Sequence, residues 1–221
     1  MEALPTEVPK GTVVLLHDIY TTGRFWLKQN IMQILAAGGI QAVTFDLPGQ
    51  GNSTGSCNAW WWRNGGKCVA AILRALEMTV KPILVVPVER GDIGMQLLTD
   101  DSHLLSGFVA IAPMTARKYS DYQLSRIELP VLSYRGEYDL FSGKENAEKL
   151  MMIPNSQMIV LPKAQRRAFQ YQPELFVTGL LNFARSVFQK SIPLVKPNGI
   201  SQITPTGSKL TFCSLTHGYY Q

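Results

Sequence analysis

The chain has 221 residues, 46% of them hydrophobic and 17% charged, with a formal net charge of +5. These values fit one globular domain, alone or with a tail, and such a length can bury a sizeable core. Lys and Arg are scattered among Asp and Glu with no block of five like charges and no basic stripe interleaved with aromatics, which argues against a nucleic-acid partner.

The first ten residues, Met1 to Lys10, are polar and proline-containing and show no apolar core of a signal peptide. No apolar run approaches the roughly 18 residues needed to span a bilayer, so no membrane association is expected. The three cysteines (Cys57, Cys68 and Cys213) form no C-x-x-C pair. An odd count without that spacing speaks against a disulfide framework or a zinc site and for a reducing compartment. The expected location is cytoplasmic or nucleocytoplasmic, and no cofactor or metal is expected.

Six short apolar runs follow in order: Thr12–Leu16, Gln41–Asp46, Pro82–Val86, Gly107–Ile111, Pro130–Arg135 and Gln157–Leu161. They are rich in β-branched residues and continuous rather than alternating, as in parallel strands covered on both faces. Helical spacing separates several of them. Phe25, Ile31, Ile34 and Leu35 share one face before Gly38–Gly39. Val69, Ile72, Leu73 and Leu76 share another, a helix starts near Asp92, and Phe176, Leu180, Phe183 and Val187 form the last. This alternation predicts an α/β fold, a mostly parallel sheet of about six strands with helices on both faces. Asn52 to Gly66 reads as a loop leading into a helix, with Trp60, Trp61 and Trp62 packed over the sheet edge in preference to forming a ligand platform. Residues 1–190 read as the domain. Residues 191–221, with Pro193, Pro197 and Pro205 and no periodicity, read as a weakly ordered tail.

The turns after the strands are ordered like those of an α/β-hydrolase. Leu15-Leu16-His17-Asp18 stands at the H-G turn. Phe45-Asp46-Leu47-Pro48-Gly49-Gln50-Gly51-Asn52-Ser53 matches D-x-P-G-x-G-x-S. Ile83 to Gly91 ends a strand in a turn that runs into a helix, at the place of the nucleophile elbow. Gly136-Glu137-Tyr138-Asp139 matches G-x-x-D, and Pro162 to Arg166 follows the last strand. More closely, the chain resembles the alpha/beta-hydrolase domain-containing protein 14 family, most clearly from Leu105 to Phe188 and back to Glu2-Ala3-Leu4-Pro5. Family members carry a β-hairpin before that point. Here Met1 stands almost directly ahead of it, so the first two edge strands are expected to be missing, as in a shortened isoform. The resemblance implies esterase-type chemistry and, for at least one relative, protein lysine deacetylation and a transcription-factor partner.

The family's catalytic positions carry unexpected residues. A serine hydrolase needs a hydroxyl to attack, an imidazole to take its proton and a carboxylate to orient the imidazolium. Asp139 holds the acid position, or else caps a turn. Val88 falls on the nucleophile position and has no lone pair. A β-branched residue there is costly at the positive φ of an elbow, so an ordinary turn is expected. Glu89, one residue on, is the alternative nucleophile. Arg166 falls on the base position and stays protonated. Of the three histidines, His17 belongs to the oxyanion turn, His103 follows a helix and His217 lies in the tail. His17, Asp18 and Ile19 are the expected oxyanion turn, where Asp18 would oppose a developing negative charge.

Two expectations follow from these substitutions. Arg166 pairs with Asp139 in place of the imidazole. Arg90, Arg166, Arg167 and Lys163 make the cleft mouth cationic. The chain therefore reads as a non-catalytic binding or protein-interaction module whose partner is a protein or a small anionic ligand. The rival readings are an esterase or deacylase with a non-standard catalytic group, and a truncated product without a stable fold.

Overall fold

The computed structural model describes residues 1–55, 61–140 and 143–189, with backbone only at 61–63. Cys57, Trp60, Cys213, His217 and the expected tail lie outside these residues, and the side chains of Trp61 and Trp62 are likewise not described.

One sheet of seven strands has the order β1-β3-β2-β4-β5-β6-β7. The strands are β1 (Glu2–Ala3), β2 (Thr12–Leu15), β3 (Gln41–Thr44), β4 (Ile83–Val86), β5 (Gly107–Ile111), β6 (Val131–Gly136) and β7 (Ser156–Leu161). Pairing is parallel throughout except at β1, which runs antiparallel to β3 at the edge. All six expected strands form. The addition is β1, whose two residues carry no sequence period.

Side chains alternate across the sheet, as a period of two requires. Val13 and Leu15 enter one core, with Trp26, Ile31, Phe169, Phe176, Leu180 and Phe183. Val14 and Leu16 enter the other, with Val69, Leu73, Ile93, Leu97 and Leu124. The first core is covered by α1 (Arg24–Lys28), α2 (Ile31–Ala37), α7 (Ala168–Tyr171) and α8 (Pro173–Phe188). The second is covered by α3 (Trp61–Ala75), α4 (Gly91–Asp100), α5 (Asp121–Ser125) and α6 (Gly143–Leu150).

Two helix boundaries differ from expectation. The first predicted helix is two, because Asn30 takes a left-handed conformation (φ 56°) between α1 and α2. The other, α3, begins at Trp61, inside the expected loop. Its Gly66 lies so close to Gln96 and the Leu97 amide of α4 that a side chain would collide. This glycine serves helix crossing rather than a loop.

The segment after β7 is held at both ends. Phe169 packs edge-on to Phe25 at 5.5 Å and lies 5.3 Å from Trp26 and 5.9 Å from Phe176. The Tyr134 hydroxyl donates to the Phe176 carbonyl (2.9 Å), and the Trp26 indole to that of Leu16 (3.0 Å). At the other end, the Tyr138 amide donates to the Ala164 carbonyl at 2.8 Å. Gly136 lies directly under the carbonyls of Ala164 and Gln165, with no space for a methyl group. Gly136→Ala is therefore expected to displace residues 162–167 and cost about 1–3 kcal/mol, as overpacking does. Thermal unfolding measures this, and an unchanged melting temperature would contradict the packing.

Candidate functional site

The turns after β2, β4, β6 and β7 meet at the carboxyl end of the sheet, where ligands of α/β sheets bind. Residues Val88–Arg90 form a single 3-10 turn that passes directly into α4. None of these residues has positive φ. The strained geometry of a nucleophile elbow is therefore absent, as expected for a valine at that place. Val88 is fully buried and belongs to the core with Val85, Ile111 and Leu132. It presents no chemistry to the cleft.

Glu89 points the other way and meets Arg167. The Arg167 guanidinium donates through Nη2 to Glu89 Oε1 at 3.1 Å and through Nε to Asp18 Oδ2 at 3.1 Å. The Asp18 and Glu89 side chains are only 4% and 17% exposed, so this cluster sits largely out of water. Its expected counterpart does not form. Arg166 and Asp139 are each partnered, but among the described residues no ion pair joins them. The closing arginine is Arg167, because the buried Ala168 and Phe169 fix the direction of the residue just before them. The expected partners were Arg166 and Asp139, whereas Arg167 engages Asp18 and Glu89.

Asp18 also takes the N–H of Ile19 on Oδ1 at 2.8 Å. In an acyl-transfer site this amide would face the oxyanion. Here a carboxylate of the chain itself occupies the donor. The expected oxyanion turn is thus filled from within at Ile19.

His17 is fully buried. Its Nε2 lies 3.0 Å from the Leu47 amide, which can only donate, so Nδ1 carries the hydrogen and donates to the Asp18 carbonyl at 2.8 Å. Both ring nitrogens are used by backbone, and burial lowers the pKa of the ring. His17 is a neutral strut. His103 is exposed and lines a separate groove with Leu73 and Met78.

Arg90 differs from the sequence expectation. It is 4% exposed and donates to Gln50 rather than lining the cleft mouth. It ties the turn after β4 to the loop after β3. That loop is pinned by Asp46, which accepts from the amides of Gly23 (2.8 Å) and Asn52 (3.0 Å). Burial works against the Asp46 charge, but these amides outweigh it and lower its pKa. The D-x-P-G-x-G-x-S motif is here a structural staple. Lys163 is exposed with φ 54°, and its amide donates to Glu137 at 2.8 Å.

Asp139 is buried, and its carboxylate lies over Gly143, the first residue of α6, leaving no room for a side chain there. That placement matches a turn-capping acid.

An open cavity of about 290 Å³ adjoins the cluster, lined by Glu89, Gln165, Arg166, Arg167, Gln170 and Tyr171. The Tyr20 ring covers the Arg167 guanidinium at 5.4 Å. Among the described residues, no group of three or more His, Cys, Asp or Glu side chains could hold a metal, and no helix is long and apolar enough to cross a membrane.

No family model matches the chain. Protein ABHD14A of Rattus norvegicus is 31% identical over 183 residues, spanning 82% of this chain and 75% of the relative. The chain belongs to the ABHD14 family. Within it, the human putative protein-lysine deacylase ABHD14B is 30% identical over 189 residues, covering 84% of this chain and 89% of the relative. A CIB-like hydrolase from Thermoplasma acidophilum superposes with a TM-score of 0.73 at 18% identity, over 82% of this chain and 89% of the other. These matches establish an α/β-hydrolase fold for this ABHD14 member.

The cluster has measurable consequences. Removing Arg167 would leave Asp18 and Glu89 together without a counter-charge. Arg167→Ala should cost about 2 kcal/mol, less than a fully buried pair because the guanidinium is partly hydrated. Arg74→Ala, at an exposed pair, should cost under about 0.5 kcal/mol. Equal urea midpoints for the two variants would contradict the cluster.

Burial raises the Glu89 pKa, and the neighbouring Asp18 raises it further. A raised folded-state value contributes stability that is complete below about pH 4.3 and lost as pH rises through the folded pKa. Relative to Glu89→Gln, the wild-type chain should therefore lose stability as the pH rises from about 4.3 through that shifted titration. A stability difference that stays constant from pH 4 to 8 would contradict it.

Proposed function

We propose that this ABHD14-family chain is a non-catalytic binding module. The observation that carries the reading is the closed Asp18–Arg167–Glu89 cluster. It joins the turns after β2, β4 and β7 at the carboxyl end of the sheet, where ligands of α/β sheets bind. Acyl transfer requires an electron-pair donor beside a group that can accept a proton. Val88 supplies neither, and no arginine accepts a proton at neutral pH. Glu89, next to Val88, is the expected alternative nucleophile, and its Oε1 is held by a guanidinium. A carboxyl with raised pKa and such a partner is a weak nucleophile.

Kinship with ABHD14B, named a putative protein-lysine deacylase, supports a second reading in which this chain also removes acyl groups. The internal filling of the Ile19 amide donor by Asp18 weighs against it. So does His17, whose two nitrogens are tied to backbone.

A fluorophosphonate probe and a short-chain ester assay separate these readings. The chain should show neither labelling nor turnover above buffer, and Val88→Ser alone should restore neither, since the turn lacks elbow geometry and a base. Stoichiometric label on any residue of the wild-type chain would favour the deacylase reading.

A further inference from the structure

Arg167 carries five N–H donors in one plane. One on Nε goes to Asp18 and one on Nη2 to Glu89. The remaining three, the outer edge of the guanidinium, meet no acceptor among the described residues. The side chain is 32% exposed, and that edge belongs to the wall of the 290 Å³ cavity. Two carboxyls grip the inner edge, so the outer one is already oriented and loses little freedom on binding.

The rest of the wall is also rich in donors. The Gln165 and Gln170 amides line it, beside the already partnered Arg166 and Tyr171, whose hydroxyl donates to Gln165 Oε1 at 3.4 Å. Glu89 is the one carboxyl in the lining, and Arg167 engages it. Convergent donors call for a ligand that accepts, and a planar guanidinium edge matches a planar two-oxygen acceptor. One aromatic ring lies over the guanidinium and another lines the same cavity. Tyr20 is 76% exposed and already lies over the guanidinium, and Tyr171 is 51% exposed.

We infer that the cavity binds a small carboxylate with a flat apolar body, the oxygens held by the outer edge of Arg167 and the body covered by Tyr20 and Tyr171. This rests on the non-catalytic reading of the cleft, in which the ligand is retained rather than turned over.

Occupancy is linked to one proton. The groups facing Glu89 are Asp18 from the turn after β2 and Arg167 and Arg166 from the segment after β7. Two carboxyls on one guanidinium are neutral overall only while one of them is protonated. The Oε2 atom of Glu89 is buried with no hydrogen-bond partner among the described residues, where a bare charge is costly. Loss of that proton adds negative charge beside the site and repels the ligand. Affinity should fall about tenfold for each pKa unit by which the ligand shifts Glu89.

The test uses the full chain, titrated by calorimetry from pH 5 to 8 with benzoate and with benzamide, its neutral isostere. Benzoate should bind at least about tenfold tighter than benzamide, the gain expected of a charge-assisted pair. Its affinity should fall with rising pH. Glu89→Gln should keep benzoate binding and flatten the pH profile. Gln170→Ala, at an exposed position outside the cluster, should weaken benzoate about threefold without moving the melting temperature. Equal binding of the two probes, or the same pH decline in Glu89→Gln, overturns the inference. Displacement of benzoate by inorganic phosphate at lower concentration than by acetate overturns the carboxylate assignment. Turnover of an ester with benzoate binding intact would instead fail the non-catalytic reading.

Discussion

A single guanidinium held between two carboxyls organises the functional end of this protein. Arg167 reaches from the segment after β7 to Asp18 after β2 and Glu89 after β4. It thereby joins three turns that the sheet brings near one another but does not itself connect. The charges lie at low exposure, where leaving one unpaired is costly. The position of Arg167 in turn depends on apolar packing. Phe169, two residues on, is locked among Phe25, Trp26 and Phe176, and the carbonyls of Ala164 and Gln165 rest on Gly136.

The same arrangement accounts for the retained and the altered parts of the hydrolase pattern. The Asp46 turn, the His17 strut and the glycines at crossings keep their places because the sheet and its loops need them. Asp46 ties its own loop to the segment at Gly23 through backbone amides, and His17 bridges the turn after β2 to Leu47. In the turn after β4, Val88 packs into the core and Glu89 joins the Arg167 cluster on the cleft side.

The fold was legible because parallel strands covered on both faces read as unbroken apolar runs, and all six such runs became strands. The strand Glu2–Ala3 was not, since two residues carry no period. The break at Asn30 was hidden because Phe25 and Ile31 share one apolar face across it. The glycines near residue 66 suggested a loop, but Gly66 allows α3 to cross α4 closely. At the candidate site, motif order was enough to bring Asp18, Glu89 and the segment after β7 together. It could not say whether Arg166 or Arg167 turns inward. That choice depends on how the loop leaves Lys163 at positive φ and on the burial of Ala168 and Phe169, which are properties of packing rather than of spacing. Arg90 was misplaced for a related reason. A charged residue at a strand end suggests the surface, yet Gln50 gives it a partner in the interior.

The most direct measurement is a double-mutant cycle on Asp18→Asn and Arg167→Gln, followed by chemical denaturation at pH 7. Side chains in one ionic network show coupling, whereas residues that merely share a surface add independently. The account predicts a coupling of about 1 kcal/mol or more between the two positions. Strict additivity within about 0.3 kcal/mol would contradict it.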